Sequence, residues 1–181
     1  CRDRRNLHVL DPEGLRASCG IRGIMSVYYF AYGSNMNRLR VETRGMPFTA
    51  IQGGVLMDYA LRFNKRSVKV PGAASANVVA APDSKVEGVL YALSREDDIF
   101  TMDPFEGYPV RYDRQSMPIV SEGGTYSAWV YTANDNYVQE GLKPARWYLN
   151  HLLAGSGYLS PLYLTELRGI DCLPDSDVEP T

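Results

Sequence analysis

The chain has 181 residues, a formal net charge of -2 at pH 7 and hydrophobic residues at 45% of its positions. A chain of this length suits one globular domain, and that hydrophobic share is enough to fill its core. The mildly acidic balance gives no basic surface for nucleic acid, and no apolar run is long enough to span a bilayer. We therefore expect a small-molecule partner, and neither nucleic acid nor a membrane.

Cysteine and histidine are both sparse in this sequence. Cys1, Cys19 and Cys172 are too few and too far apart for a disulfide framework or a zinc site. This pattern favours a reducing compartment and hence a cytoplasmic protein. His8 and His151 are too isolated for a metal cluster or a histidine-based triad. We expect no metal, and chemistry that uses carboxylate, hydroxyl and main-chain groups.

The two ends of the chain lack the patterns of folded elements. Residues 1–24 show no sustained periodicity and no apolar segment typical of signal peptides. Met25 directly precedes the first strand pattern, so we expect a leader over 1–24 and one domain over 25–170. Residues 171–181 are expected to form a frayed acidic tail.

The first half of the domain is dominated by strand patterns. Residues 27–32 predict a strand, and Asn37 is expected to cap a short helix that ends before Gly45. Residues 53–63 predict a second strand with an irregularity at Asp58. Strand follows strand here without a long helical crossover.

The next segment predicts two strands and a short helix. Residues 75–81 and 86–93 are expected to form separate strands joined by a turn at residues 82–83. Ser94 is expected to cap a short helix that Pro104 ends.

The last part of the domain predicts a hairpin and two helices. Residues 112–120 and 126–132 form the arms of the hairpin, Pro144 opens one helix, and Ser160 caps the next. Many short strands with a few helices indicate an α+β domain. We expect a mixed sheet that is strongly curved or closed into a barrel, with peripheral helices.

The strand at residues 27–32 stops at a turn of small polar residues, Gly33, Ser34 and Asn35. Consecutive main-chain N–H groups in such a turn can form a concave site for an anion, where glycine adopts a conformation barred to other residues. A helix beginning at Asn35 or Asn37 would add partial positive charge. The alternative is an ordinary strand-to-helix turn.

Glu106 lies between Phe105 and Gly107, just after the predicted short helix. Apolar neighbours can desolvate a carboxylate, and desolvation raises its pKa toward the range useful for proton transfer. The alternative is a solvated loop glutamate.

Several other residues have two open interpretations. Asn64, Lys65 and Arg66 are candidates for the rim of a pocket or for a solvated strand end, and Asn77 for a ligand contact or a satisfied core amide. For Trp147 and Tyr148 the two interpretations are contact with a ligand and packing of the helix. We interpret His151 as a surface or packing residue.

Six segments resemble, in order, the γ-glutamylcyclotransferase family across residues 27–170. They are YFAYGSNM at 29–36, LRFNKRS at 61–67, SANVVAAP at 75–82, VEGVLYAL at 86–93, DPFEGYPVRY at 103–112 and PARWYLNHLLAG at 144–155.

The resemblance implies a cyclotransferase-type barrel that acts on a γ-glutamyl amide without cofactor or metal. The α-amine of the glutamyl unit attacks its own γ-carbonyl, which gives 5-oxoproline and a free amine. The family's acid/base corresponds to Glu106. Its substrate-binding positions correspond to Tyr32, Gly33, Ser34, Asn35, Tyr112 and Tyr148.

The resemblance leaves the leaving amine open. A γ-glutamyl amino acid, a γ-glutamyl amine, or a biosynthetic intermediate protected by a γ-glutamyl group would share the same glutamyl half. A catalytically idle ligand-binding module of the same fold is the alternative from another class. The bulky pair Pro104-Phe105 before the glutamate is expected to shape the leaving-group side. Monomer and homodimer both remain open.

Overall fold

The computed structural model describes residues 27–174 and 176–180. The predicted leader over residues 1–24 and the predicted start at Met25 lie outside this range. The strands are β1 Tyr28–Ala31, β2 Phe48–Arg66, β3 Ala74–Leu93, β4 Tyr112–Ser121 and β5 Gly124–Ala133. The α-helices are α1 Arg38–Thr43, α2 Asp103–Glu106, α3 Arg146–Leu153 and α4 Pro161–Arg168.

The five strands close into a barrel in the order β1-β3-β2-β4-β5. Strand β1 pairs antiparallel with β3 and parallel with β5, and the remaining pairs are antiparallel. Closure leaves no unpaired sheet edge in the barrel. The predicted α+β fold with a closed mixed barrel is confirmed.

Large apolar side chains from all five strands fill the barrel, as the alternation of inward and outward residues in a small barrel requires. Among the most deeply buried are Phe30, Leu56, Leu90, Ile119 and Val130.

Strands β2 and β3 form a long, bent ladder. The predicted irregularity at Asp58 is confirmed, because the register shifts between Met57 and Tyr59 and Asp58 has φ 61°. The prediction of two strands joined at residues 82–83 is wrong. Asp83, with φ 62°, lies in a bulge within the single strand β3, and its amide donates to Asp58 Oδ1 at 3.2 Å. Aspartate tolerates this left-handed conformation, so the chain bends without leaving the sheet.

The helix caps at Asn37 and Ser160 are confirmed. Asn37 Oδ1 accepts from the Leu39 amide at 3.1 Å, and Ser160 Oγ accepts from the Tyr163 amide at 3.3 Å. The predicted hairpin is confirmed in β4 and β5. None of the helices described is long and apolar enough to cross a membrane.

The helix predicted between Ser94 and Pro104 is wrong in detail. Residues 96–101 form a 3-10 turn, and the Arg95 amide is held by Asp98 Oδ2 at 2.6 Å. Pro104 lies in the first turn of α2 instead of ending a helix. Proline is tolerated there because first-turn amides have no partner within the helix. The consequence is that Glu106 lies at the end of α2.

The described part of the C-terminal segment packs against the domain, in contrast to the frayed tail expected. Ser176 accepts the Arg146 amide on Oγ at 2.8 Å and the Trp147 amide on its carbonyl oxygen at 3.0 Å. These amides belong to the first turn of α3, where no partner within the helix exists. Glu179 further along accepts hydrogen bonds from Arg40.

Candidate active site

A small cavity at the end of β1, which we call the inner cavity, has a volume of about 30 Å³. It brings together all seven residues that the family resemblance assigns to the site, although these come from the turn after β1, from α2, from β4 and from α3. The lining residues are Tyr29, Phe30, Tyr32, Gly33, Ser34, Asn35, Ala76, Glu106, Tyr112, Tyr131 and Tyr148.

Gly33 is needed in the turn for space. Its φ of -114° is not left-handed, so the expectation of a conformation barred to other residues is wrong. A Cβ at Gly33 would lie 2.9 Å from Tyr148 Oη and 3.4 Å from Ala76 Cβ. The missing side chain therefore lets the turn approach α3 and β3 closely.

The turn presents main-chain donors beside the inner cavity. Among the described residues, the amides of Gly33 and Asn35 donate no hydrogen bond, and the Ser34 amide faces the Tyr148 hydroxyl. The helix that follows is capped by the Asn37 side chain, so its first turn lies beyond these amides. The donors available to a ligand are the turn amides themselves.

The Asn35 side chain is 2% exposed and organises the polar groups around it. Its Nδ2 donates to Tyr29 Oη at 2.8 Å and to Glu106 Oε1 at 2.9 Å, and its Oδ1 accepts from Arg44 Nη1 at 2.7 Å. The side chain thus fixes the carboxylate, while the main-chain carbonyl of Asn35 accepts from Tyr91 Oη at 2.8 Å.

Glu106 is a largely buried carboxylate with one free oxygen. Its side chain is 17% exposed, and Oε1 accepts from Asn35 and from Arg44 Nη1, the latter at 3.3 Å. Among the described residues, Oε2 has no hydrogen-bond partner. Burial raises the pKa of the Glu106 carboxyl, although the Arg44 charge and the Asn35 hydrogen bond act in the opposite direction. A carboxylate in this state is suited to accept and return a proton.

Three of the five tyrosines that line the cavity differ in the hydrogen-bonding capacity of their hydroxyls. The Tyr32 hydroxyl donates to the Tyr131 carbonyl, and the Tyr112 hydroxyl donates to the Ala76 carbonyl at 2.7 Å, so both still have lone pairs to accept with. Tyr148 Oη accepts from the Ala76 amide at 2.9 Å. Its own proton has no acceptor among the described residues. Burial raises the pKa of Tyr148 to about 12, which keeps this donor protonated.

A second cavity, which we call the outer chamber, adjoins the inner cavity and has a volume of about 100 Å³. The two share Ser34, Glu106, Tyr112 and Tyr148 in their linings. Phe105 also lines the outer chamber and lies under the Arg44 guanidinium at 4.7 Å. A ligand whose reacting end lies in the inner cavity therefore extends past Glu106 into the outer chamber.

The structure distinguishes the core residues from the cavity-lining residues among the candidates at positions 64–66 and 77. Asn77 and Asn64 are satisfied core amides, because Asn77 bonds to Asn64 Oδ1 at 3.2 Å and Asn64 bonds to Glu140 Oε1 at 2.7 Å. Lys65 lines the outer chamber, whereas Arg66 donates to the Asn136 carbonyl outside it.

Helix α3 contributes residues to the outer chamber and to the packing behind it. Trp147 is a buried residue of α3 that also lines the outer chamber. His151 packs behind it, where its ring nitrogens contact the Asn37, Arg40 and Glu179 side chains at 3.0 to 3.1 Å. Burial lowers the pKa of His151 despite the Glu179 carboxylate. Its interpretation as a packing residue is consistent with these contacts.

A larger cavity, of about 630 Å³, lies between β2 and α4 and contains none of the predicted site residues. Its buried carboxylate, Glu87, is used structurally, because it accepts from the Ser160 amide at 2.7 Å and pairs with Lys85 at 2.9 Å. Within residues 27–174 and 176–180, no three His, Cys, Asp or Glu side chains form a group that could hold a metal ion. The inner cavity is therefore the candidate active site.

Sequence reasoning missed Tyr29, Arg44 and Arg111 as parts of the site. The alternation of β1 could have placed Tyr29 with Ala31 on the buried face opposite Phe30. Arg44 and Arg111 carry no such signal, because Arg44 contacts a glutamate 62 positions away and Arg111 reaches the outer chamber from a loop.

Solved structures share this fold. A structure named gamma-glutamyl cyclotransferase has a TM-score of 0.70 and 22% identity, with 82% of this chain and 90% of that chain covered. An uncharacterised human protein has a TM-score of 0.70 and 23% identity, with 83% and 90% covered. A yeast gamma-glutamyl cyclotransferase described as specific to glutathione has a TM-score of 0.57 and 13% identity, with 79% and 94% covered.

A comparison with models of protein families identifies the family to which the chain belongs. No curated protein is similar enough in sequence to count as a relative. The family model described as gamma-glutamyl cyclotransferase, AIG2-like, matches residues 29–149, which is more than half of the chain and includes β1, the turn and Glu106. The resemblance found from the six sequence segments is confirmed: the chain belongs to the AIG2-like gamma-glutamyl cyclotransferase family.

Proposed function

We propose that the protein is a γ-glutamylcyclotransferase that converts a γ-glutamyl amide to 5-oxoproline and a free amine. The observation that carries this proposal is the position of Glu106, a desolvated carboxylate in the same small cavity as the amides of Gly33 and Asn35. Membership of the family and the shared barrel support it.

Glu106 is proposed to activate the nucleophile. At neutral pH the α-amine of the glutamyl unit is mostly an ammonium ion, which cannot attack a carbonyl carbon. The free oxygen Oε2 is placed to take its proton. The lone pairs of the Tyr32 and Tyr112 hydroxyls are the acceptors left for the remaining N–H groups of the ammonium, because both hydroxyl protons are used on main-chain carbonyls.

The turn amides and Tyr148 are proposed to stabilise negative charge. When the amine attacks the γ-carbonyl, its oxygen becomes an oxyanion that needs fixed donors. Among the described residues, the amides of Gly33 and Asn35 and the Tyr148 hydroxyl proton are three of the unused donors around the cavity. They serve this oxyanion or the α-carboxylate of the glutamyl unit.

Glu106 then completes the reaction as an acid. The tetrahedral intermediate collapses by breaking the bond to the original amide nitrogen, and that nitrogen takes the proton held by Glu106. The new ring nitrogen loses a second proton as the lactam forms, and the released amine or solvent accepts it. One carboxylate therefore serves both half-steps and is regenerated.

Most of the rate enhancement is expected from positioning. The nucleophile and the carbonyl belong to one molecule, and a well-oriented intramolecular reaction has an effective molarity of about 10⁵ to 10⁸ M. The protein has to hold the glutamyl unit bent. The inner cavity takes only the reacting end of that unit, and the remainder extends into the adjoining outer chamber.

The experiment is a panel of γ-glutamyl amino acids, γ-glutamyl amines and glutathione, with release of 5-oxoproline as the readout. Glutathione is included because the yeast neighbour is described as specific to it. Release from any member, absent with boiled protein, supports the proposal. Binding of these compounds without release would favour the idle binding module. The remaining alternative, a biosynthetic intermediate protected by a γ-glutamyl group, shares the glutamyl half and would release 5-oxoproline in the same assay. We also propose that the protein acts in the cytoplasm, because sparse cysteine is typical of proteins in a reducing compartment.

A further inference from the structure

The outer chamber has a strongly cationic lining. Five basic side chains line it, and Glu106 is its single acidic residue among those described. The basic residues are Arg40, Arg44, Lys65, Lys69 and Arg111. Because the whole chain has a formal net charge of -2, this concentration of positive charge is a local feature of the chamber.

Three of the five cations already have carboxylate partners. Arg44 pairs with Glu106 at 3.3 Å, while Arg40 and Lys69 each lie 3.1 Å from Glu179. The Glu179 carboxylate thus shows that the rim of the chamber accepts an acidic group.

Lys65 and Arg111 differ from the other three. Within residues 27–174 and 176–180, neither side chain has an ion pair or a hydrogen bond to protein. Lys65 is only 3% exposed. A buried charge is normally paired, because leaving water without a partner costs free energy. A buried, unpaired lysine in the wall of a cavity therefore points to an anionic ligand.

Both cations are held close to the reacting end of the site. The Lys65 ammonium lies 5.3 Å from the centre of the Tyr112 ring, and Tyr112 lines both cavities. The Arg111 guanidinium packs against Gly107, where a Cβ would lie 2.0 Å from Nε. Arg111 therefore lies directly beside the residue that follows Glu106.

Burial, reinforced by the neighbouring Arg111 charge, lowers the pKa of Lys65 to about 8. Lys65 therefore remains mostly charged at neutral pH, and a bound anion would stabilise that charge further.

We propose that Lys65 and Arg111 bind two carboxylates of the departing amine, so that the preferred substrate is a γ-glutamyl derivative of an acidic amino acid. The inference rests on the proposed function, in which the reacting end of the glutamyl unit occupies the inner cavity. Groups beyond the scissile amide then fall in the outer chamber, because Glu106 lies between the two. Two unpaired cations match a leaving amine that carries an α-carboxylate and a side-chain carboxylate.

The test compares γ-glutamyl-glutamate with γ-glutamyl-glutamine, which differ in one charge and hardly in shape. We expect kcat/KM to be higher for the glutamate compound by about tenfold, because charge-assisted hydrogen bonds are stronger than neutral ones. Lys65→Met and Arg111→Gln should each reduce this ratio, and the double variant should bring it close to one. Arg62→Met, on the same strand and outside the chamber, is the matched control and should keep the wild-type ratio.

Equal kcat/KM for the two compounds in the wild type would overturn the inference and leave the cyclotransferase function intact. An equal loss for both compounds in Lys65→Met and Arg111→Gln, with the ratio preserved, would also overturn it, because the cations would then serve the glutamyl half. If neither compound yields 5-oxoproline, binding of both is measured by calorimetry on the wild-type protein, in which Glu106 still pairs with Arg44. Tighter binding of γ-glutamyl-glutamate would support the acidic site, and equal binding would refute it.

Discussion

Asn35 Nδ2 donates a hydrogen bond of 2.9 Å to Glu106 Oε1, which joins two residues that lie 71 positions apart. The same amide group also bonds to Tyr29, and its oxygen accepts from Arg44. Asn35 therefore couples the turn after β1 to the end of α2. This relationship makes Asn35 a positioning residue whose side chain acts on catalysis through Glu106.

Replacing Asn35 with alanine is expected to lower kcat by about 10- to 100-fold, because a carboxylate displaced by 1 Å loses most of its advantage. The hydrogen bond from Asn35 lowers the pKa of Glu106, so its loss should also move the acidic limb of the kcat/KM profile to higher pH. Asn150→Ala, at an exposed position on α3, is the control. A reduced rate with an unshifted pH profile would contradict the positioning role.

Glu106→Gln is expected to stabilise the fold at pH 7. Burial raises the pKa of Glu106 in the folded protein above the unfolded value of about 4.3, so its ionisation disfavours folding. This unfavourable contribution is complete above the folded pKa and disappears below the unfolded pKa. The melting temperature of the variant should therefore exceed that of the wild type at pH 7, and the two should converge near pH 4.

The control for this stability experiment is Glu122→Gln in the exposed hairpin loop, which should leave the melting temperature unchanged at both pH values. A lower melting temperature of Glu106→Gln at pH 7 would mean that the Arg44 and Asn35 contacts outweigh the desolvation of the carboxylate.

Tyr148→Phe should affect both rate and stability. It removes the hydroxyl that accepts the Ala76 amide, and a buried amide without a partner costs about 1 to 3 kcal/mol. It also removes a proposed oxyanion donor, a loss typically of about 10² to 10³ in kcat. Kinetics measured well below the melting temperature separate the two effects, with Tyr126→Phe as a control outside both cavities. A wild-type kcat would exclude Tyr148 as a donor to the reacting group.

Gly107→Ala and Gly45→Ala form a matched pair. Both glycines have positive φ, 71° and 78°, so alanine should cost each variant about 1 to 2 kcal/mol of stability. A Cβ at Gly45 meets nothing within 4 Å, whereas one at Gly107 displaces Arg111. Only Gly107→Ala should therefore lower the preference for γ-glutamyl-glutamate. A similar loss of preference in both variants would show that general destabilisation is the cause.

Local signals in the sequence accounted for much of the fold. Strand β1, the hairpin of β4 and β5, and the caps at Asn37 and Ser160 depend on alternation and on side chains close to the amides that they satisfy. The sequence predicts two strands in place of the single strand β3 because Pro82 and Asp83 are typical of a turn. The bulge arises from pairing with Asp58 on β2, which no local pattern encodes.

The site residues that lie within short local motifs could be predicted from the sequence. The turn at Gly33 to Asn35 and Glu106 are indicated by their local sequence, the family resemblance adds their roles, and the structure places them around one cavity. Arg44 and Arg111 were missed, because their roles depend on contacts that form only when the barrel closes. Even for Gly33 the reason differs from the one expected, since the neighbouring Tyr148 hydroxyl limits the space.

The most direct test of the central claim, that Glu106 carries the proton in both half-steps, is the single-turnover rate of 5-oxoproline formation by Glu106→Gln. A substrate that the wild type converts is used, and binding is measured alongside. The account predicts retained binding and a rate lower by about 10² to 10⁴, because shape survives while basicity is lost. A rate near that of the wild type, at equal binding, would contradict it.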